Sequence, residues 1–320
     1  MPAILAAVSV AAAAWGQTQP GERTIRSEVE VGAIEFSGDG SSLAGLCRDN
    51  KIRHWDGGSG ELKRTFALEK AEGNPTFASA NSVVTTGADG GITIWNLQSG
   101  ERTRQIGRQP QRARGIALSG DQKLLAGGAR SETNQSETTV HLWDGSGKER
   151  FAVPAGAGGV SAIALSPDGG TLVASTYDTD VRAWSTRDGE LVKFIDEIPV
   201  ATFVLKFSPD GKYLAAAGVD KIIRLYDAKT WKLVRQMTGQ PEMISSMSFS
   251  PDGKTIVTGG FNELTVKHPA HIVLWDFQSG KVLRTITNPR MVTSTAFSPD
   301  GKLVAVADRE KVVRLLPTGR

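Results

Sequence analysis

The chain has 320 residues, of which 39% are hydrophobic and 22% are charged, a balance typical of an ordinary globular protein. Its formal charge is only +3, which argues against a nucleic-acid-binding protein, since these usually carry a clustered basic stripe. A single cysteine, Cys47, excludes an intrachain disulfide, and 36 glycines in short polar sequences predict many tight turns.

Residues 1–16 differ in composition from the rest of the chain. Ala3 to Trp15 form an uncharged, alanine-rich run, which is shorter than the roughly 20 apolar residues that a membrane-spanning helix needs. The run is typical of a secretory signal peptide, although no Lys or Arg precedes Arg23. We therefore expect a leader at residues 1–16 and export to the periplasm or the cell exterior. The alternative is a cytoplasmic protein with an uncleaved leader.

A short turn motif recurs along the chain from residue 36 onward. Its copies have an apolar residue, then Ser, then Pro-Asp-Gly or a close variant. They occupy residues 36–40, 117–121, 165–169, 207–211, 249–253 and 297–301, with a weaker copy at 77–81. In Ser-Pro-Asp-Gly, the proline ring fixes the backbone angle φ, and the Asp side chain forms hydrogen bonds with nearby backbone groups. The glycine tolerates the backbone conformation in which the chain leaves the turn. Each copy therefore predicts a tight β-turn.

A second marker, an aromatic residue that closes a β-branched run, alternates with these turns. The aromatic markers are Trp55, Trp95, Trp143, Trp184, Tyr226 and Trp275, and Leu316 takes the same place in the last unit. Segments between the markers alternate with period two, as in KYLAAAGVDKIIRLYD, which predicts consecutive short strands. Four short strands in each unit match the blade of a β-propeller.

Together, the seven units resemble the WD40-repeat family over residues 22–320. The resemblance implies an all-β fold, a seven-bladed β-propeller with four-stranded antiparallel blades. The aromatic markers would then be structural and would fill the space between neighbouring blades, since a buried aromatic ring supplies a large packing surface.

The two ends of the chain look like parts of one unit. The last residues, RLLPTGR, follow the pattern of a third strand and the turn after it, and Gly21–Thr24 repeats the sequence of Gly100–Thr103. We therefore predict that the last blade combines residues 290–317 with an N-terminal strand at 22–28. An open ring would leave unpaired strand edges at this seam.

The WD40 resemblance also assigns a turn carboxylate six positions before each aromatic marker. Asp holds this place at Asp49, Asp89, Asp178 and Asp220, whereas Glu137, Pro269 and Glu310 depart from the pattern. The family's Gly-His dipeptide, whose His usually bonds that Asp, is absent from every unit. We therefore expect these Asp side chains to be structural and to be satisfied by nearby backbone N–H groups.

Units three and six carry insertions, at residues 129–137 and 261–270. Both fall between the predicted second and third strands, so in a ring of seven they would face each other across one mouth of the channel. Long loops on a rigid scaffold are where binding residues concentrate. The alternative is that exposed loops have accumulated insertions without a function.

Candidate partner-binding residues lie on the same predicted face. WD40 proteins often bind partners through the residue before the turn Asp and through the start of the first strand. The matching positions and their neighbours are Arg48, Arg112, Arg114, Tyr177, Met243, His268, Arg290, Met291 and Arg309. Arginine, methionine and aromatic residues are enriched at protein interfaces.

The sequence contains no nucleophile elbow, phosphate-binding loop or Cys–His pair that would indicate an enzyme. His268 and His271 flank Pro269 in a predicted loop without a third ligand, so they do not predict a metal site. We therefore predict a noncatalytic scaffold without a cofactor, a monomeric propeller that holds a protein or peptide partner within a complex. The alternative is an enzyme, or a small-ligand or metal-binding protein, with its site at the channel mouth.

Overall fold

The structure is a computed structural model that describes residues 21–319, except 68–70, 80, 88–90, 109–112, 122, 130–137, 196–197, 199–200 and 263–268. The described residues form 28 strands in seven four-stranded antiparallel sheets, and no helix occurs among them. The predicted seven-bladed β-propeller is confirmed.

The strands follow the chain blade by blade. Blade one contains β2 (Val31–Phe36), β3 (Ser42–Cys47), β4 (Lys51–Asp56) and β5 (Leu62–Ala67). Blade two contains β6 (Ala71–Ser79), β7 (Ser82–Gly87), β8 (Gly91–Asn96) and β9 (Arg102–Arg108). Blade three contains β10 (Ala113–Leu118), β11 (Leu124–Ala129), β12 (Thr138–Asp144) and β13 (Glu149–Gly156). Blade four contains β14 (Val160–Leu165), β15 (Thr171–Thr176), β16 (Val181–Ser185) and β17 (Leu191–Phe194).

The remaining blades follow the same order. Blade five contains β18 (Thr202–Phe207), β19 (Tyr213–Gly218), β20 (Ile223–Asp227) and β21 (Leu233–Met237). Blade six contains β22 (Met243–Phe249), β23 (Thr255–Phe261), β24 (Ala270–Asp276) and β25 (Val282–Asn288). Blade seven contains β26 (Val292–Phe297), β27 (Leu303–Asp308), β28 (Val312–Pro317) and β1 (Arg23–Arg26).

The first strands of neighbouring blades contact each other around the whole ring, from β2 through β26 and back to β2. They line a central cavity of about 200 Å³. Fourth strands such as β17 lie at the outer rim, where they expose apolar side chains including Leu191 and Leu283. The inner strands therefore form the rigid centre of the molecule.

The seam is closed as the sequence predicted. Strand β1 pairs antiparallel with β28, with Arg23 opposite Leu315 and Arg26 opposite Val312. Ile25 of β1 packs against an apolar cluster that contains Trp55 of blade one and Val313 of blade seven. The N-terminal strand therefore covers the outer edge of β28 and contributes apolar contacts across the seam.

The repeated turn between first and second strands has the same hydrogen bonds in six blades. In blade one, the Ser37 hydroxyl donates to Asp39 Oδ1 at 2.6 Å, and the Ser42 N–H donates to Ser37 Oγ at 3.0 Å. The equivalent Ser–Asp pairs are Ser119–Asp121, Ser166–Asp168, Ser208–Asp210, Ser250–Asp252 and Ser298–Asp300. The serine hydroxyl is the main reason that the pKa of Asp39 is lowered and that the pKa of Asp121 falls to about 2.

The aromatic markers lie on the third strands, between each blade and the blade before it. The fully buried ones are Trp55, Trp143, Trp184, Tyr226 and Trp275, and Trp95 is half-buried. Trp275 shares an apolar cluster with Ala215 and Ile223 of blade five, and its indole N–H donates to Thr258 Oγ1 at 2.8 Å. Cys47 is buried in the cluster at the seam, and this burial raises the pKa of its thiol.

Candidate protein-interaction face

One face of the propeller carries the turns between second and third strands and the connections between blades, and we call it the loop face. The strands that flank both predicted insertions meet this face: β11 ends at Ala129 and β12 begins at Thr138, and β23 ends at Phe261 and β24 begins at Ala270. The loop residues 130–137 and 263–268 themselves lie outside the described residues.

A repeated backbone bond defines equivalent positions on the loop face. The residue before the turn carboxylate donates its N–H to the carbonyl of the residue just before the first strand, as Arg48 does to Glu30 at 3.0 Å. The same bond joins Tyr177 to Gly159, Val219 to Ala201 and Arg309 to Met291. Arg48, Tyr177, Val219 and Arg309 therefore occupy matching places around the channel mouth.

Aromatic residues from blades four, five and six meet at this mouth. The ring centroid of Phe203 lies 6.3 Å from that of Tyr177 and 5.8 Å from that of Phe261. Met243, at the start of β22, pairs with Phe261 across the sheet. Tyr177 is 38% exposed, and the other three side chains are half-buried. We call Tyr177, Phe203, Met243 and Phe261 the apolar arc.

Arginines from blades one and seven occupy the other part of the mouth. Arg48 Nε lies 2.9 Å from Glu30 Oε1, and Arg309 Nε lies 3.6 Å from the same oxygen. Arg290 pairs with Glu310 at 3.1 Å. We call Arg48, Arg290 and Arg309 the basic arc. Its three guanidinium groups share two carboxylates, which leaves one positive charge in excess.

The structure brings some predicted partner-binding residues together and leaves others undescribed. Met291 is half-buried beside the basic arc, where its carbonyl accepts the Arg309 N–H. Arg112 and His268 lie outside the described residues, and of Arg114 only its position within β10 is described.

The turn carboxylates are held mainly by arginine side chains, which the sequence analysis did not foresee. Both guanidinium NH₂ groups of the buried Arg53 donate to Asp49, at 3.1 and 3.0 Å. Arg224, also buried, lies 2.6 Å from Asp220, whose backbone bond from Ile222 is longer, at 3.3 Å. The signal in the sequence is the arginine two positions before the aromatic marker.

Blades four and seven use a neighbouring carboxylate in place of the expected one. Arg182 pairs with Asp180 at 3.0 Å, although the family pattern points to Asp178. Arg314 lies 3.7 Å from Asp308, although the pattern points to Glu310. Asp89 lies outside the described residues. The expectation that backbone N–H groups alone would satisfy these carboxylates is therefore incomplete.

Two buried side-chain amides, those of Gln240 and Asn288, were not predicted from the sequence. Gln240 follows Gly239 and takes the place of the His in the Gly-His dipeptide of WD40 repeats. The buried Gln240 Oε1 accepts a hydrogen bond from the Thr258 hydroxyl at 2.7 Å. Thr258 in turn accepts the indole N–H of Trp275, so an amide replaces the His in this network. Asn288 holds the equivalent place in blade seven and donates to Asp308 at 3.2 Å. In the sequence each amide is followed by a proline, and this shared dipeptide pattern is the signal by which the two positions could have been found.

Comparison with known families agrees with this architecture. The family described as WD domain, G-beta repeat matches residues 22–56, 149–185 and 200–227. The chain is a WD40-repeat protein. A second family, described as eukaryotic translation initiation factor eIF2A, matches residues 218–315.

Curated relatives are similar to about half of this WD40 protein. Telomerase protein component 1 of Rattus norvegicus is 27% identical over 165 residues, which are 51% of this chain and 6% of that protein. WD repeat-containing protein SL1-17 of Schistosoma mansoni is 26% identical over 166 residues, which are 50% of this chain and 52% of that protein. The match therefore spans a small part of the first relative and about half of the second.

The channel of this WD40 propeller is lined by many hydroxyl groups, several of which join neighbouring blades. Ser161 Oγ donates to the Thr202 carbonyl at 2.6 Å, Ser245 Oγ to that of Val292 at 2.7 Å, and Thr293 Oγ1 to that of Val31 at 2.7 Å. In each case the hydroxyl crosses to the first strand of the next blade. These groups stabilise the ring.

Possible metal-ligating side chains do not cluster around one point in the part of the chain that the structure describes. No three His, Cys, Asp or Glu side chains there lie close enough to share a metal ion. His271 Nδ1 lies 2.6 Å from Glu242 Oε1 and forms an ion pair only when protonated.

The described residues also include no helix long and apolar enough to cross a membrane.

Proposed function

We propose that this WD40 propeller is a noncatalytic platform that holds a protein or peptide partner on its loop face. The observation that carries the proposal is the apolar arc, in which three aromatic rings from three blades meet at the channel mouth and stay partly exposed. Partly exposed aromatic and methionine side chains are the typical anchors of protein interfaces.

The scaffold suits this role because it holds the anchors in place before a partner arrives. The apolar arc is attached to the ends of buried strands, and the repeated bond to the connection before each first strand fixes Arg48, Tyr177 and Arg309. A preorganised surface loses less conformational entropy on binding. WD40 propellers generally act as noncatalytic scaffolds.

Site-specific photocrosslinking in the native source would test the platform. A photoreactive amino acid would replace Tyr177 on the loop face, and in separate variants Arg187 on the opposite face and Leu191 at the outer rim. Arg187 and Leu191 are both well exposed, so they are matched controls. We expect one defined partner to crosslink from position 177 and from neither control. Equal capture from all three positions would contradict the proposal.

We also propose that the protein is exported, because the composition of residues 1–16 is typical of a secretory leader. Mass spectrometry of the mature protein from its native source would show the N-terminus. Export predicts cleavage near Gln17, which retains the strand that closes the ring. A cytoplasmic protein that keeps residues 1–16 would contradict it.

A further inference from the structure

We propose that the loop face selects a partner segment that combines an aromatic or aliphatic side chain with a carboxylate. The apolar side chain would contact the apolar arc, and the carboxylate would pair with the basic arc. This inference rests on the proposed function of the loop face as a platform, and it adds the chemistry of the partner.

The apolar arc accounts for the first requirement. Tyr177, Phe203 and Phe261 form a continuous row of ring contacts, and Met243 extends it at the start of β22. Methionine and aromatic side chains adapt well to an inserted apolar group. Covering this row would remove apolar surface from water, which favours binding.

The basic arc accounts for the second requirement. Arg48 and Arg309 both approach one oxygen of Glu30, and among the described residues no second carboxylate forms an ion pair with either guanidinium. Glu30 is mostly buried, whereas the Arg48 side chain is 62% exposed and approaches Glu30 Oε1 with its Nε. Its terminal NH₂ groups can therefore face an incoming carboxylate, for which guanidinium has a matching geometry.

Acidic residues beside the apolar arc fix the orientation of the partner. Asp178 directly follows Tyr177, and Asp180 is paired with Arg182 at 3.0 Å, so the turn of blade four carries one negative charge in excess. An acidic partner group would be repelled there and attracted to blades one and seven. Repulsion at one end and attraction at the other give a preferred direction.

Selection from a phage-displayed library of random dodecapeptides on the full chain would test this chemistry. We expect the enriched peptides to contain an aromatic or large aliphatic residue together with Asp or Glu. Fluorescence anisotropy would then give the affinity of the best labelled peptide and of two altered versions, one with each acid changed to its amide and one with the apolar residue changed to alanine. Each alteration should weaken binding about tenfold or more.

Matched protein variants would locate the contacts. Arg48→Glu should weaken the peptide about tenfold, and raising the salt concentration should weaken it in the wild type. The control Arg187→Glu makes the same change on the opposite face. Tyr177→Ala should also weaken binding, whereas Phe194→Ala, at a rim aromatic that is 39% exposed, should not. Circular dichroism and thermal unfolding would confirm that each variant folds.

The outcomes separate this inference from the proposed function. Peptides without acidic residues, or peptides that bind Arg48→Glu as tightly as wild type, would overturn the carboxylate requirement. The platform would survive that result if Tyr177→Ala still abolished binding. Peptides whose binding none of the loop-face variants changed would overturn both proposals. Self-association of the chain that Tyr177→Ala abolished would instead identify a second copy as the occupant and overturn the inference.

Discussion

The residues that define each blade are held by local partners that differ in kind. The Ser–Asp pairs of the first turns join a buried serine to an exposed carboxylate two residues later, whereas the Asp–Arg pairs at Asp49 and Asp220 include a buried guanidinium. A buried ion pair adds little net stability, but removing one partner is costly because the other remains buried and unpaired. The two kinds of pair should therefore respond differently to mutation and to pH.

Replacing one member of a buried pair should destabilise the fold strongly. We expect Asp220→Ala to lower the free energy of unfolding by about 3 kcal/mol, because Arg224 would be left without its carboxylate. Urea denaturation would measure the loss. The double variant Asp220→Ala/Arg224→Leu should recover part of it, and a single-variant loss below about 1 kcal/mol would contradict this role.

The first turns should make stability depend on acid pH. Their carboxyls have pKa values lowered below the ordinary value, mainly by the serine hydroxyl at Asp39, Asp121, Asp168 and Asp300. A lowered folded-state pKa stabilises the protein above the unfolded value near 4, and this contribution is lost as pH falls toward about 2 at Asp121. Urea denaturation between pH 7 and pH 2 should show the decline. Ser119→Ala should make the decline shallower, and an unchanged slope would contradict the assignment.

At the scale of strands, close packing between blades explains the small residues of the second strands. A Cβ on Gly259 would lie 2.3 Å from Val292 Cγ1 of the next blade, and one on Gly128 would lie 2.6 Å from Val160 Cγ1. The second strand can therefore approach the neighbouring first strand only because these positions lack a side chain.

Adding one methyl group at this contact should be destabilising. We expect Gly259→Ala to lower the free energy of unfolding by about 1–3 kcal/mol, since Val292 has to move. Gly38→Ala is the matched control, because no atom lies within 4 Å of the added Cβ. Equal effects of the two substitutions in thermal unfolding would show that backbone freedom, and not packing, is responsible.

Strand order and turn positions could be predicted from the sequence because their signals are local and repeat seven times. Pairing of side chains from separate strands could not, since it depends on how the strands pack. Gln240 forms a hydrogen bond with Thr258, which lies 18 residues further along the chain. This bond was not predicted because the WD40 pattern has a His, and not an amide, at the position of Gln240. The arginine two positions before the aromatic marker recurs in the sequence, as at Arg224. That Arg224 pairs with Asp220 became evident only from the geometry of the turn.

At the scale of the whole molecule, the ring depends on β1. Without it, the outer edge of β28 would be an unpaired strand edge, which can pair with another chain. We expect a variant that begins at residue 28 to associate in a concentration-dependent way in sedimentation experiments. A peptide of residues 21–28 should reverse this association, and a fully monomeric variant would contradict the role of β1.

The loop face was only partly accessible from sequence. Alignment alone selected Arg48, Tyr177 and Arg309, because the repeat fixes their place in each blade. Phe203 and Phe261 were missed, since their contact with Tyr177 depends on the approach of three blades. The sharing of Glu30 by two arginines was missed for the same reason.

Hydroxyl-radical footprinting of the wild-type protein, with and without the partner that photocrosslinking identifies, is the measurement that tests the platform best. It reports the exposure of side chains on the loop face and at the outer rim in one experiment. We expect the partner to protect Tyr177, Phe203 and Met243 from oxidation and to leave Leu191 and Leu283 of the outer rim unchanged. Protection of the rim residues, with Tyr177 and Met243 oxidised as in the free protein, would contradict binding at the loop face.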